Sequence, residues 1–146
     1  MQRIMTSTAL VFAGALLLSG CAAGGGDSTA TPAADACQAV ASEVRDVSNG
    51  VQNNLAAVAD TAELEEYLTS AAERVDAIIE EAGDNEDLVA AVEDFKAEVG
   101  AATDYAGELP EPDAEGAIEQ DADALAERQA ALQEAAAEVG AVCTAD

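Results

Sequence analysis

The residues able to do chemistry in this chain are carboxylates and thiols, and little else. Aspartate and glutamate number 30 against 5 lysines and arginines, the formal net charge is −25, and there is no histidine. Without an imidazole the chain offers no Ser/His/Asp or Cys/His nucleophile system, no HExxH zinc motif and no carboxylate-histidine di-iron set. Carboxylate pairs recur throughout, so spacing singles out no acid–base couple. With no tryptophan, two tyrosines and two phenylalanines, the chain also has no aromatic platform to hold a sugar between such a pair. Gly24-Gly25-Gly26 lacks the strand, lysine and helix that a phosphate-cradling loop requires. The expectation is a protein that is not an enzyme, with no catalytic residue and no cofactor.

One group of acids is denser than the rest: Glu80, Glu81, Asp84, Glu86 and Asp87 surround an expected turn between two helices. Glu80 and Glu81 there oppose the negative end of a helix dipole, a placement that a bound cation would relieve. The spacing lacks the order of an EF-hand and its sixth-position glycine. These five are the candidate ligands for a low-affinity divalent cation, the alternative functional reading; counter-ion condensation on an acidic turn is the simpler expectation, and no specific metal site is assigned.

The thiols are Cys21, Cys37 and Cys143. Cys21 ends Leu18-Ser19-Gly20-Cys21, which follows Arg3 and an apolar run from Ala9 to Leu18 containing Phe12, Leu16 and Leu17. About ten apolar residues fall short of the roughly twenty that span a bilayer core, which fits a secretion signal and not a membrane helix. The motif resembles the lipobox of bacterial lipoprotein precursors. That resemblance implies cleavage before Cys21, a diacylglycerol on its thiol and attachment to the membrane; two acyl chains, at about 0.8 kcal/mol per buried methylene, anchor stably where one does not. Residues 1–20 are then a lipoprotein signal peptide. Residues 21–33 form a flexible tether rich in Gly, Ser, Thr and Pro, with a typical reach of about 20 Å, and residues 34–146 form the folded domain.

If the lipobox takes Cys21, Cys37 and Cys143 remain as an even pair in an exported, disulfide-permissive setting, and a bond between them is expected. They lie too far apart for a CxxC redox motif, and without histidine a Cys/His zinc site is unavailable. A pair of free buried thiols is the alternative, if the fold keeps them apart.

Four stretches carry an apolar stripe at helical spacing. Residues 34–59 place Cys37, Val40, Val44, Val47, Val51 and Val58 on one face, with Asn54 and Leu55 competing for the missing position. Residues 62–82 do so with Leu64, Leu68, Ala71, Val75, Ile78 and Ala82, widened by Tyr67 and Ile79. Residues 85–106 follow with Leu88, Val92, Phe95, Val99, Ala102 and Ala106, and residues 114–143 with Ile118, Ala122, Leu125, Gln129, Leu132, Ala136, Val139 and Cys143. Asp60 is placed to cap the second helix and Gly83 to end it, Asp84 to cap the third, and Leu109-Pro110-Glu111-Pro112-Asp113 to break the chain before the fourth. Ser48-Asn49-Gly50 is weakly helical and could kink the first helix.

Short connections make sequential helices antiparallel neighbours, so the fold class is all-α, an up-down-up-down four-helix bundle behind the signal peptide and tether. That topology brings Cys37 and Cys143 to one end, where a bond closing a loop of about 107 residues contributes up to ~4.7 kcal/mol in the chain-entropy model. The seams are mostly alanine and valine, so little apolar area is available to offset the entropy of ordering. Asn54 and Gln129 fall at similar heights, about 25 Å and 21 Å from the cysteine end. Either they pair in the core and set register, or Leu55 takes the seam and both amides reach the rim.

The charge excludes nucleic acid and opposes anionic headgroups, while favouring basic partners. The expected partners are the membrane, through Cys21, and a basic envelope protein or peptide. The loop at residues 107–115, with Glu108, Leu109, Glu111, Asp113 and Glu115, lies at the membrane-distal end, which is best placed to meet such a partner. As a whole the chain resembles the small, acidic, alanine-rich lipoproteins of high-GC Gram-positive bacteria. The resemblance is specific over residues 1–21 only and brings no functional residue to the remainder. It implies a lipid-anchored protein of the extracytoplasmic face of the cell membrane, with an interaction or structural role.

Overall fold

A computed structural model describes residues 32–145. The expected signal peptide, the expected lipidation site Cys21 and the expected tether through residue 31 lie outside the described residues. Within them the chain forms four helices and no strand: α1 (Pro32–Ala56), α2 (Thr61–Ala82), α3 (Glu86–Gly107) and α4 (Ala122–Val142). Each helix packs on its sequence neighbour and α4 also packs on α1, while α1 and α3 meet across the centre and α2 and α4 stay apart at opposite corners. The result is a four-helix bundle. None of the described helices is long and apolar enough to cross a membrane.

The stripes of the first three helices become the core. All six expected seam residues of α2 are buried, as are those of α3, which adds Ala91. In α1 the buried set is Cys37, Val40, Ala41, Val44, Val47, Val51 and Leu55, so Leu55 and not Asn54 fills the contested position. Phe95, Leu55, Leu68, Ile78 and Leu132 are the largest fully buried side chains, and valines and alanines fill most of what is left. Alanines at buried contacts present little bulk between facing helices.

Caps explain where the helices begin and end. The Asp60 carboxylate accepts from Ala62 N at 2.8 Å and Glu63 N at 3.1 Å, satisfying first-turn donors of α2. Gly83 closes α2. The next cap departs from the sequence expectation: Asn85, not Asp84, caps α3, its side-chain oxygen accepting from Leu88 N at 3.1 Å. α1 begins at Pro32, two residues inside the expected tether, in keeping with the fixed φ of proline suiting a first helical position. It runs through Ser48-Asn49-Gly50 without a break and ends at Ala56, leaving Val58 half-buried in the connection.

Gly50 has a reason beyond propensity. A Cβ added there would lie 2.0 Å from the Tyr67 hydroxyl oxygen and 3.3 Å from the ring carbon that carries it. The tyrosine of α2 therefore lies over the space that the missing side chain of Gly50 leaves in α1.

α4 is the largest correction. It begins at Ala122, not near residue 114, because Asp113 competes for the backbone: its carboxylate accepts from Glu115 N at 2.9 Å and Ala117 N at 2.8 Å. Asp113 N also donates to Ala117 O at 2.8 Å, closing a compact loop in which Gly116 takes φ 82°. Glycine adopts that left-handed conformation freely, and it is not right-handed helix, so the helix does not pass through residues 113–117. Asp121 supplies the actual cap, accepting from Asp123 N at 2.9 Å and Ala124 N at 3.0 Å. Ile118 consequently sits in the loop and Ala122 is exposed, while Ala135 replaces Ala136 among the buried residues of α4.

Candidate functional site

Cys37 and Cys143 are joined by a disulfide, with Cα atoms 5.5 Å apart, linking the start of α1 to the residue that caps α4. Cys37 is buried and Cys143 half-buried. A 210 Å³ hollow beside Cys37 is lined by Glu81, Ala82, Asp84, Asn85 and Leu88, which puts the acidic α2–α3 turn next to the disulfide.

The candidate cation ligands do not converge. Glu80, Glu81, Asp84, Glu86 and Asp87 are all exposed, and among the described residues no three carboxylates or cysteines gather as a metal ion would need. On an open, exposed turn, solvent and salt screen their mutual repulsion.

The amide pair is also resolved. Asn54 is exposed and donates to Gly50 O in its own helix at 2.9 Å. Gln129 instead takes part in a different polar seam between α1 and α4. Ser48, buried at 2 % exposure, donates to Leu132 O at 3.4 Å and accepts from Gln52 Nε2 at 2.9 Å. Gln52 Oε1 accepts from Gln133 Nε2 at 2.6 Å, and Gln52 O from Gln129 Nε2 at 3.5 Å. No buried side-chain polar atom among the described residues lacks a partner. Ser48 was concealed in the sequence by its neighbours Asn49 and Gly50, which read as a helix interruption; its position one residue after Val47 on the core stripe was the available signal.

The feature with the most chemical character is the surface along α3 and α4. A hollow of about 270 Å³ has a floor of Ala97, Ala131 and Ala135 and walls of Asp94, Glu98, Glu134 and Glu138. Next to it a hollow of about 430 Å³ shares Asp94 and Glu138 and adds Asp87, Asn85 and Val142. Towards the other ends of the two helices a third, of about 260 Å³, is lined by Ala101, Ala124, Tyr105, Asp104, Glu108, Glu127 and Arg128. Together they trace a shallow groove with an alanine floor and carboxylate walls. Asp87, Asp94 and Glu98 on α3 and Glu127, Glu134 and Glu138 on α4 share one spacing, seven residues and then four, which keeps each trio on one helical face. That repeat is legible in the sequence, yet it reads there as ordinary solvated charge; only the packing of α3 on α4 turns two stripes into two walls.

Cations are scarce in this groove. Arg128 sits 3.7 Å from Glu98 and 3.4 Å from Glu127, and Lys96 pairs with Asp76 between α3 and α2. Lys96–Asp76 and Arg128–Glu127 each have at least one well-exposed partner and contribute at most ~1 kcal/mol each, while Arg128 and Glu98 are both half-buried. Their greater effect is to leave the other wall carboxylates as uncompensated negative charge. At the end of α3 the half-buried Tyr105 hydroxyl donates to Gln120 Oε1 at 3.2 Å, fastening the α3–α4 loop. Burial, with the Asp121 charge adding to it, raises the Tyr105 pKa above its usual 10.0.

The loop expected to meet a partner is partly occupied with itself. Leu109 packs against the core, and the Asp113 carboxylate is engaged by its own backbone, whereas Glu108, Glu111 and Glu115 are exposed. No protein-family model, curated protein or solved structure matches the chain.

Proposed function

We propose that the protein is anchored by lipid at Cys21 to the extracytoplasmic face of the cell membrane, acts without catalysis, and presents the α3–α4 groove to a basic envelope protein or peptide. The observation that carries this reading is the groove: apolar but small side chains on its floor, carboxylates on both walls, and Arg128 as the cation lining it. Such a surface attracts a lysine- or arginine-bearing segment at long range and lets its methylene stems lie on alanine while the charged heads meet the walls. The lipobox-like Leu18-Ser19-Gly20-Cys21 supports the anchor.

The helices are read as running up-down-up-down. Cys37 with Cys143, Ser48 with Leu132, and Gln52 with Gln129 pair ascending positions of α1 with descending positions of the α4 segment, and Asp76 meets Lys96 from opposite sides of the α2–α3 turn. In that arrangement the tether, the disulfide and the acidic turn share the membrane-proximal end. The groove then runs away from the bilayer, and repulsion between the acidic turn and anionic headgroups holds the bundle off the surface.

The test is an amide-shift titration of the mature chain with a lysine- and arginine-rich peptide at low and physiological salt. The expected result is salt-sensitive binding with shifts concentrated on α3 and α4, weakened by Glu134→Lys and Glu138→Lys together. Shifts spread evenly over every acidic face, unaffected by that double change, would reduce the groove to solvated surface.

A further inference from the structure

α4 differs from the other helices in how it is held. It buries three side chains fully, Leu132, Ala135 and Val139, against six in α2 and seven in α3. Between Ala122 and Ala131 no side chain of α4 is fully buried, and Leu125 and Gln129 are half-covered. Its contact with α1 includes Ser48, Gln52, Gln129 and Gln133, whose hydroxyl and amide groups water can satisfy when the helices part. The helix is attached at one end by the loop of residues 108–121 and at the other by the Cys37–Cys143 bond. α1, α2 and α3 each pack directly on the other two, while α4 rests on α1 and α3.

We infer that the Cys37–Cys143 disulfide is a latch, and that its reduction undocks α4 while α1, α2 and α3 stay folded together. The reductant is a dithiol. Its thiolate attacks Sγ of Cys143, the more exposed cysteine, forming a mixed disulfide and expelling the Cys37 thiolate, which takes up a proton. The second thiol of the reductant then closes on the first, releasing Cys143 as a thiol and leaving the reductant as its own disulfide; two electrons and two protons pass to the protein. Because α4 forms one wall of the acidic groove, undocking also dismantles that surface. This consequence for binding rests on the proposed use of the groove, whereas the latch does not.

Amide hydrogen exchange on the mature chain, oxidised and after dithiothreitol, tests the latch. In the oxidised protein the amides of residues 125–131 should already exchange faster than the mid-helix amides of α2 and α3. On reduction the amides of α4 should lose protection on the order of 100-fold, while those of Leu68 to Ile78 and Val92 to Ala102 change by less than about tenfold. Cys37→Ser with Cys143→Ser should reproduce the reduced pattern without any reductant. Retained protection in α4 after reduction would overturn the inference, because the helix then stays docked by itself. Simultaneous loss in all four helices would overturn it equally, because the bundle then unfolds as one unit.

Discussion

α2 and α4 are of nearly equal length and both begin on an aspartate cap, yet they stand in the bundle on different terms. α2 sets Leu64, Leu68, Val75 and Ile78 against acidic neighbours, so its buried face is unambiguous and continuous along its length. α4 is built largely from alanine, with Leu125, Leu132 and Val139 as its main apolar landmarks, and it makes a polar seam with α1. Alanine is the best helix former but buries little area, so it specifies that a helix exists without specifying which face turns inward. The contrast separates a helix placed by its hydrophobic stripe from one placed by a covalent bond and a set of amides.

The sharpest way to break the comparison is to damage each side in turn. Phe95→Ala should cost about 3–5 kcal/mol in a urea titration, since Phe95 is the largest fully buried side chain. Leu68→Ala in α2 should follow at about 2–5 kcal/mol, whereas Leu125→Ala in α4 should cost about 1 kcal/mol or less, because Leu125 is only half-buried. Equal losses at Leu68 and Leu125 would erase the distinction between the helices.

Next in size is the packing of Tyr67 over Gly50. Gly50→Ala should destabilise, despite a propensity gain of about 1 kcal/mol, because its Cβ meets the tyrosine hydroxyl at 2.0 Å. In a Tyr67→Phe background that atom is gone, and the same alanine should become neutral or stabilising, giving a double-mutant coupling that thermal melts can read. A caps comparison follows: Asp60→Ala and Asp121→Ala should each cost about 1 kcal/mol of helix stability. The first loss should appear in the global unfolding midpoint and the second as fraying limited to the start of α4, a difference visible in amide exchange.

The smallest effect is at high pH. Tyr105 has a raised pKa in the folded protein, so the native state holds its phenolic proton more tightly than the unfolded chain. The associated stability is fully present below the unfolded value of about 10 and is lost as pH climbs through the folded value. Ultraviolet titration should show Tyr105 ionising late, and Tyr105→Phe should flatten the decline in stability over that alkaline window.

What the sequence made legible follows the same division. Leu, Val and Phe at steps of three and four identified the buried faces of the second and third helices residue by residue, and the Cys37–Cys143 bond followed once the lipobox-like motif had claimed Cys21. The start of α4 was not legible from periodicity, because Ile118 and Ala122 continue an apparent stripe across residues where Asp113 and Gly116 impose a turn. Turn chemistry outweighed pattern there. The exchange of Asp84 for Asn85 as cap is a difference of one residue between two good capping side chains, decided by the geometry of the chain leaving Gly83. The groove was hidden for another reason: each wall is an ordinary acidic stripe, and a wall exists only in relation to the one opposite.

The most direct test of the account is the intact mass of the protein taken from native membranes, measured before and after reduction with thiol alkylation. A mass equal to residues 21–146 with a diacylglycerol on Cys21, and two alkylatable thiols that appear only after reduction, is the result expected for a lipid-anchored, disulfide-latched bundle. An unlipidated mass would contradict the anchor, and two thiols reactive without reduction would contradict the bond that holds α4.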